Sequence, residues 1–113
     1  MLEVPPAALL VYTKPATIAF LRAVLGSLSG NWQLTSWYRD AAHNRSVGGN
    51  RRSQHLLGLA VDVVGDRWSL SETAELARAL DLTAVQEGDH LHLQMFRAGQ
   101  LEAGGYDWLY QIV

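Results

Sequence analysis

The sequence reads as one small domain of mixed helix and strand, and three observations lead to that class. Ile18, Leu21, Leu25 and Leu28 recur at steps of three and four, as do Leu70, Ala74, Ala77 and Leu80, which is the helical repeat. Residues 59–64 alternate in character and carry β-branched side chains at Val61, Val63 and Val64. Residues 83–87 and 90–96 are two short strand-like runs joined by Gly88-Asp89. A chain of 113 residues, 49% apolar and 18% charged, is globular in composition and forms a single domain over residues 1–113. That size buries a modest core without cross-links.

In chain order, residues 1–14 read as an irregular arm, because Pro5-Pro6 rules out regular helix. Pro15 suits the first turn of a helix. Ile18, Leu21, Leu25 and Leu28 form its apolar face, and Gly26 and Gly30 weaken and then end it. Trp32 to Tyr38 reads as a strand, with Trp32, Leu34 and Ser36 facing one way and Gln33, Thr35 and Trp37 the other. Residues 40–47 suit a short helix capped by Asp40, broken by Gly48-Gly49-Asn50. Asp62 sits inside the next strand, on the face opposite Val61 and Val63. A carboxylate there is unfavourable unless it is paired, metal-bound or solvent-facing. Ser69-Leu70-Ser71-Glu72 has capping-box spacing and opens a helix through about Leu80. In the tail, Gly104-Gly105 makes a turn, and Tyr106, Trp108, Leu109 and Tyr110 pack back on the domain.

Composition narrows the chemistry. The chain has no cysteine, which excludes disulfides and thiolate metal sites and leaves His and carboxylate as metal ligands. A net charge of -2 gives no broad attraction to nucleic acid or anionic membrane. Met1 to Leu10 has neither a basic start nor a long apolar run, so no signal peptide and no transmembrane helix are expected. The expected partners exclude nucleic acid and membrane, and the expected state is a monomer.

Two stretches carry the candidate site. Ser53-Gln54-His55-Leu56-Leu57-Gly58-Leu59-Ala60-Val61-Asp62 places an imidazole and a carboxylate seven residues apart. Asp89-His90-Leu91-His92 follows some thirty residues later. Catalytic zinc commonly takes three protein ligands and keeps an open place. His90 and His92 are two apart on a strand and share a face, so alternation alone does not choose between them as the third ligand.

The first stretch resembles the S-x-H-x-x-G-x-A-x-D signature of the M15 peptidases, the zinc D-Ala-D-Ala carboxypeptidases and related peptidoglycan endopeptidases. Thr35-Ser36-Trp37-Tyr38-Arg39, His43-Asn44 and Gly48-Gly49 are similar to that family's upstream segments, and Asp89-His90-Leu91-His92 to its D-H-x-H segment. The resemblance spans about residues 34–95. It implies an α+β fold of the hedgehog/DD-peptidase kind, an antiparallel sheet with helices packed on it and a metal cleft; the element order agrees without dictating it. It implies Zn2+ held by His55, Asp62 and His92, Asp89 as general base, Arg39 as a clamp on the substrate carboxylate, and His90 as a partner near the metal. Glu87 stands three before His90 and is the rival base if His90 were a ligand; some branches of the family use Glu, so residue type leaves the choice open.

The implied function is a zinc metallopeptidase hydrolysing peptidoglycan stem peptides, foremost a D-Ala-D-Ala carboxypeptidase. An L-Ala-D-Glu endopeptidase of the phage-lysin (endolysin) type, or a non-catalytic zinc-containing module that binds cell wall, are the alternatives. Such a protein would be made in the cytoplasm and act at the bacterial wall, reaching it by another route than a signal peptide. Taken singly, the residues have ordinary readings: His55 as a core or loop histidine, Arg39 in a salt bridge to Asp40 or Asp62, His43 packing or capping a helix, Ser53 bonding within its loop. Trp37 and Trp68 suit either cleft wall or core.

Overall fold

A computed structural model describes residues 14–111 and 113. Helix α1 (Lys14–Ser27) opens with Pro15 in its first turn, where a missing N–H costs nothing. Strand β1 (Trp32–Ser36) and the short helix α2 (Ala41–Ser46) follow. A single 3-10 turn (Gln54–Leu57) leads into β2 (Ala60–Gly65), then α3 (Arg67–Ala79), β3 (Thr83–Glu87) and β4 (His90–Gln94). Helix α4 (Gln100–Ala103) and a 3-10 turn (Asp107–Gln111) close the chain. The irregular arm expected over residues 1–14 lies outside the described residues except for Lys14, which is instead the first residue of α1.

The four strands form one antiparallel sheet in the order β1-β2-β4-β3. This is an α+β domain, with α3 packed on one face of the sheet and α1 packed against α3. Alternation along β2 and β4 sends Val61, Val63, Leu91 and Leu93 into the core, all essentially solvent-free. Burying each such side chain is worth about 1.5–3 kcal/mol. The same alternation leaves Asp62, His90 and His92 on the other face, which carries no long helix among the described residues.

The structure corrects several local expectations. On α1 the buried positions are Phe20, Val24 and Ser27, whereas Ile18 and Leu25 are 46% and 67% exposed. Two apolar stripes compete on that helix, and the one carrying the large Phe20 ring faces α3. On α3, Leu70, Ala74 and Ala77 are buried as expected, but Leu80 lies past the helix end and is exposed, while Thr73 is buried. The helix is capped by Asp66, which accepts from the Ser69 N–H at 2.8 Å, so Ser69 is a first-turn residue rather than the cap. The Ser69 hydroxyl donates to Asp66 and accepts from the Asn31 N–H, tying the helix start to the turn before β1.

Strict alternation fails on β1. Leu34 pairs with Val63, yet Ser36 pairs with Asp62, because Thr35 is an extra residue in the register. This bulge swings Ser36 onto the face of Asp62 and aims the following chain over it. Asp40 caps α2 as expected, accepting from the His43 N–H at 2.7 Å. Gly88 takes a positive φ of 60° in the β3–β4 turn, which glycine adopts without strain. In the tail Leu109 is fully buried and Tyr106 and Tyr110 pack on the core, whereas Trp108 is 42% exposed. No helix among the described residues is long and apolar enough to cross a membrane.

Candidate metal centre

Three elements bring three donors together. Asp62 and His92 are directly paired residues of β2 and β4, so their side chains rise side by side from one face. His55 comes from the 3-10 turn before β2. That turn is capped by the Ser53 hydroxyl, which accepts from the His55 N–H at 3.2 Å, and ends at Gly58 in the left-handed region, φ 72°. The chain thereby reverses and lays His55 over the sheet. His55 Nε2 lies 3.2 Å from Asp62 Oδ2, and His92 Nδ1 lies 3.0 Å from Asp62 Oδ1. The ligand atoms of the three residues all fall within 4.8 Å of one another.

The hydrogen bonds of the far ring nitrogens settle which atoms face inward. His55 Nδ1 is 2.6 Å from the Trp37 carbonyl, which can only accept, so Nδ1 carries the proton and Nε2 the lone pair. His92 Nε2 is 2.7 Å from Gln94 Oε1, and the Gln94 amide donates to the Phe96 carbonyl at 2.6 Å, which fixes the amide orientation. His92 therefore donates from Nε2 and presents Nδ1. Imidazoles that ligate metals are commonly held in this way through the other nitrogen. His55 is 2% exposed, and its Nε2 is buried without a hydrogen-bond partner. In that tautomer it points a lone pair at a carboxylate oxygen, an arrangement that a cation between them would relieve. The donor set of two nitrogens and one carboxylate fits zinc and related divalent ions.

Charge around Asp62 is heavily compensated. Burial pushes its carboxyl pKa up, but when the His55 and His92 rings carry protons on both nitrogens their hydrogen bonds and charge outweigh that and hold it well below the usual range. Arg39 Nη2 donates to Asp62 Oδ2 at 2.9 Å, while its Nε donates to Ser36 Oγ at 3.2 Å and its Nη1 reaches Asn44 Oδ1 at 3.5 Å. Burial lowers the His92 pKa, but the hydrogen bonds to Asp62 and Gln94 and the nearby carboxylates raise it overall. A proton and a metal would compete for the same nitrogen.

Of the remaining candidates, Glu87 and His90 line the cleft that holds the triangle, whereas Asp89 and His43 are not among its lining residues. Asp89, at the hairpin tip, is 94% exposed and its Oδ1 lies 3.1 Å from His90 Nδ1. That hydrogen bond, with the charges of Asp62 and Glu87, raises the His90 pKa, and the same hydrogen bond lowers that of Asp89. His90 Nε2 turns inward, 3.3 Å from Glu87 Oε1 and 3.9 Å from Asp62 Oδ1. Glu87 Oε1 is also 3.8 Å from His92 Nδ1, so Glu87 reaches toward the donor triangle from β3. His43 is exposed on α2, away from the ligand groups. Trp37 and Trp68 do not line the cleft; Trp37 donates from its indole to the Gly58 carbonyl at 2.8 Å, and Trp68 is 63% exposed.

Three positioning groups escaped the sequence reading. Gln94 could have been found, since it is two residues after His92 and shares its face. Gln54 bonds Phe96 at both backbone groups and holds the 3-10 turn to the end of β4. The Trp37 carbonyl orients His55 as a main-chain group, for which no side-chain signal exists.

The donor triangle lies in an open cleft of about 910 Å3, with Arg39, Asn50, Glu87 and Arg97 among its walls. The Peptidase M15 family model matches residues 4–94, a span that holds every one of these donors. Comparison with curated proteins and with solved structures gave no match. With most of its length matched and a His/Asp group able to bind a metal, the chain belongs to the M15 peptidases, a family of metal-dependent peptidases.

Proposed function

We propose that the chain is a zinc peptidase of peptidoglycan stem peptides, acting as a D-Ala-D-Ala carboxypeptidase, with the metal held by His55, Asp62 and His92. The observation that carries this reading is the buried, unpartnered Nε2 of His55 facing Asp62 and His92 on the floor of a cleft. A cation held there supplies a Lewis acid for the scissile carbonyl and lowers the pKa of water beside it.

The chain's own groups do the rest. Asp89 takes the proton of the attacking water and delivers it to the leaving amine. It is ionised, as a base must be, and it holds the His90 ring so that Nε2 faces the cleft. His90 then stands where it can steady charge developing on the carbonyl oxygen. Arg39 spends three N–H groups on Asp62, Ser36 and Asn44. A guanidinium has five, so two remain for the terminal carboxylate of the substrate.

A second reading is the L-Ala-D-Glu endopeptidase, and one observation favours it: Arg39 is engaged by Asp62, as a structural ion pair would be. The test is digestion of purified peptidoglycan with mass spectrometry of the released fragments, with and without chelator. Chelator-sensitive release of D-Ala supports the carboxypeptidase. Cleavage after L-Ala transfers the proposal to the endopeptidase, and metal without cleavage of any stem peptide would leave a wall-binding module.

A further inference from the structure

We propose a second, weaker divalent-cation site beside the first, formed by Glu87, His90 and the Oδ1 side of Asp62. The ligand atoms of these three residues lie within 4.8 Å of one another. His90 Nε2 is 3.3 Å from Glu87 Oε1 and 3.9 Å from Asp62 Oδ1. A nitrogen with two carboxylate oxygens is a mixed donor set suited to zinc or manganese.

A separate observation points the same way. His90 Nδ1 is bonded to Asp89 Oδ1 at 3.1 Å. A carboxylate on one nitrogen fixes the ring and leaves the other nitrogen as the free donor, the arrangement that orients metal-binding histidines. Asp89 thus prepares His90 as Trp37 and Gln94 prepare His55 and His92.

The geometry of Asp62 allows both sites together. Its Oδ2 faces His55, whereas its Oδ1 faces both His92 and His90. One carboxylate can therefore bridge two cations, which sit about 3.5–4 Å apart in paired sites. The two sites differ in exposure. His55 is 2% exposed, but the side chains of His90 and Glu87 are 31% and 50% exposed. Solvated ligands bind more weakly, so the second site fills only at excess metal. A cation there engages Glu87 and His90 and stands across the approach to His92. Zinc in excess then inhibits hydrolysis. This consequence rests on the proposed peptidase activity, but occupancy of the site does not.

The experiment is calorimetric titration of the metal-stripped full chain with zinc, checked by elemental analysis. The wild-type chain is expected to take up a tight first equivalent and a weaker second. Glu87→Gln and, independently, His90→Asn are expected to lose the second equivalent and keep the first, with circular dichroism showing the fold intact. If either variant does not fold, the other decides. A wild-type chain that binds one equivalent, or folded variants that keep the second, would overturn the proposal: the Glu87–His90 contact would then be an ion pair of the hairpin. A chain that binds no zinc at all also ends the proposal, but by removing the first site, which sets that outcome apart.

Discussion

His55 shows how one residue's surroundings can outweigh its intrinsic preferences. A buried imidazole nitrogen without a partner costs about 1–3 kcal/mol, and here it is Nε2 of His55 that is left so. On the proposed function that cost is retained because the same nitrogen would be a ligand. His55→Ala is therefore expected to abolish tight zinc binding while leaving the fold detectable by circular dichroism; a variant that still binds one equivalent tightly would remove His55 from the site. At the rim the two hairpin carboxylates separate by their partners. Asp89 is the proposed base, so Asp89→Ala should keep the first zinc and lose hydrolysis by about 10²–10⁴-fold. Glu87→Gln should lose less. The reverse order would assign the proton transfer to Glu87, whose Oε1 is the nearer to His92 Nδ1 at 3.8 Å.

Among the elements, the loop after α2 shows why two adjacent glycines are there for different reasons. Gly48 has φ 71°, a conformation for which glycine is suited. Gly49 has no such angle, but a Cβ there would lie 2.0 Å from Asn44 Oδ1 and 2.6 Å from its Cγ. Asn44 is buried, donates to the Asn50 carbonyl at 2.8 Å and faces Arg39. Gly49→Ala must displace Asn44, so it should destabilise the protein by about 1–3 kcal/mol and weaken hydrolysis through Arg39. Denaturant unfolding beside a peptide assay checks both, and an unchanged midpoint would refute the packing argument. Much at this scale was legible in the sequence. The Asp40 cap, the alternation that isolates Asp62 from Val61 and Val63, and the turn at Gly88-Asp89 all follow from short-range rules. What escaped depends on tertiary choice. Either apolar stripe of α1 could have faced inward, and only packing against α3 selects Phe20 and Val24. The bulge at Thr35 leaves no pattern in the sequence, since Trp32–Ser36 alternates equally well with or without it. The candidate donors were legible through their resemblance to a family motif, and Gln94 could be read from its place two after His92, but the group that aims His55 could not, because Trp37 acts through its backbone.

At the scale of the whole molecule, the donor triangle joins the 3-10 turn, β2 and β4, so a metal held there would cross-link segments distant in sequence. Its removal should lower stability. Binding to the folded state alone stabilises by about 4 kcal/mol when free metal is a thousandfold above its dissociation constant. The pH dependence has opposite signs with and without metal. In the metal-free chain the His90 and His92 pKa values are raised. Their contribution is fully present below the unfolded value of about 6.5 and is lost as pH rises through the raised folded values. Asp62 has a lowered pKa. Its contribution is present above about 3.9 and is lost as pH falls through the folded value. Metal-free stability from these groups therefore peaks between about pH 4 and 6.5 and declines on the alkaline side. Zinc requires His55 and His92 unprotonated, so its stabilisation grows over the same rise in pH. Thermal unfolding with chelator and with zinc, measured from about pH 6 to 8, should show the gap between the two curves widening as pH rises. A gap that stays constant or narrows would mean that the metal is not held by the histidines that carry the protons.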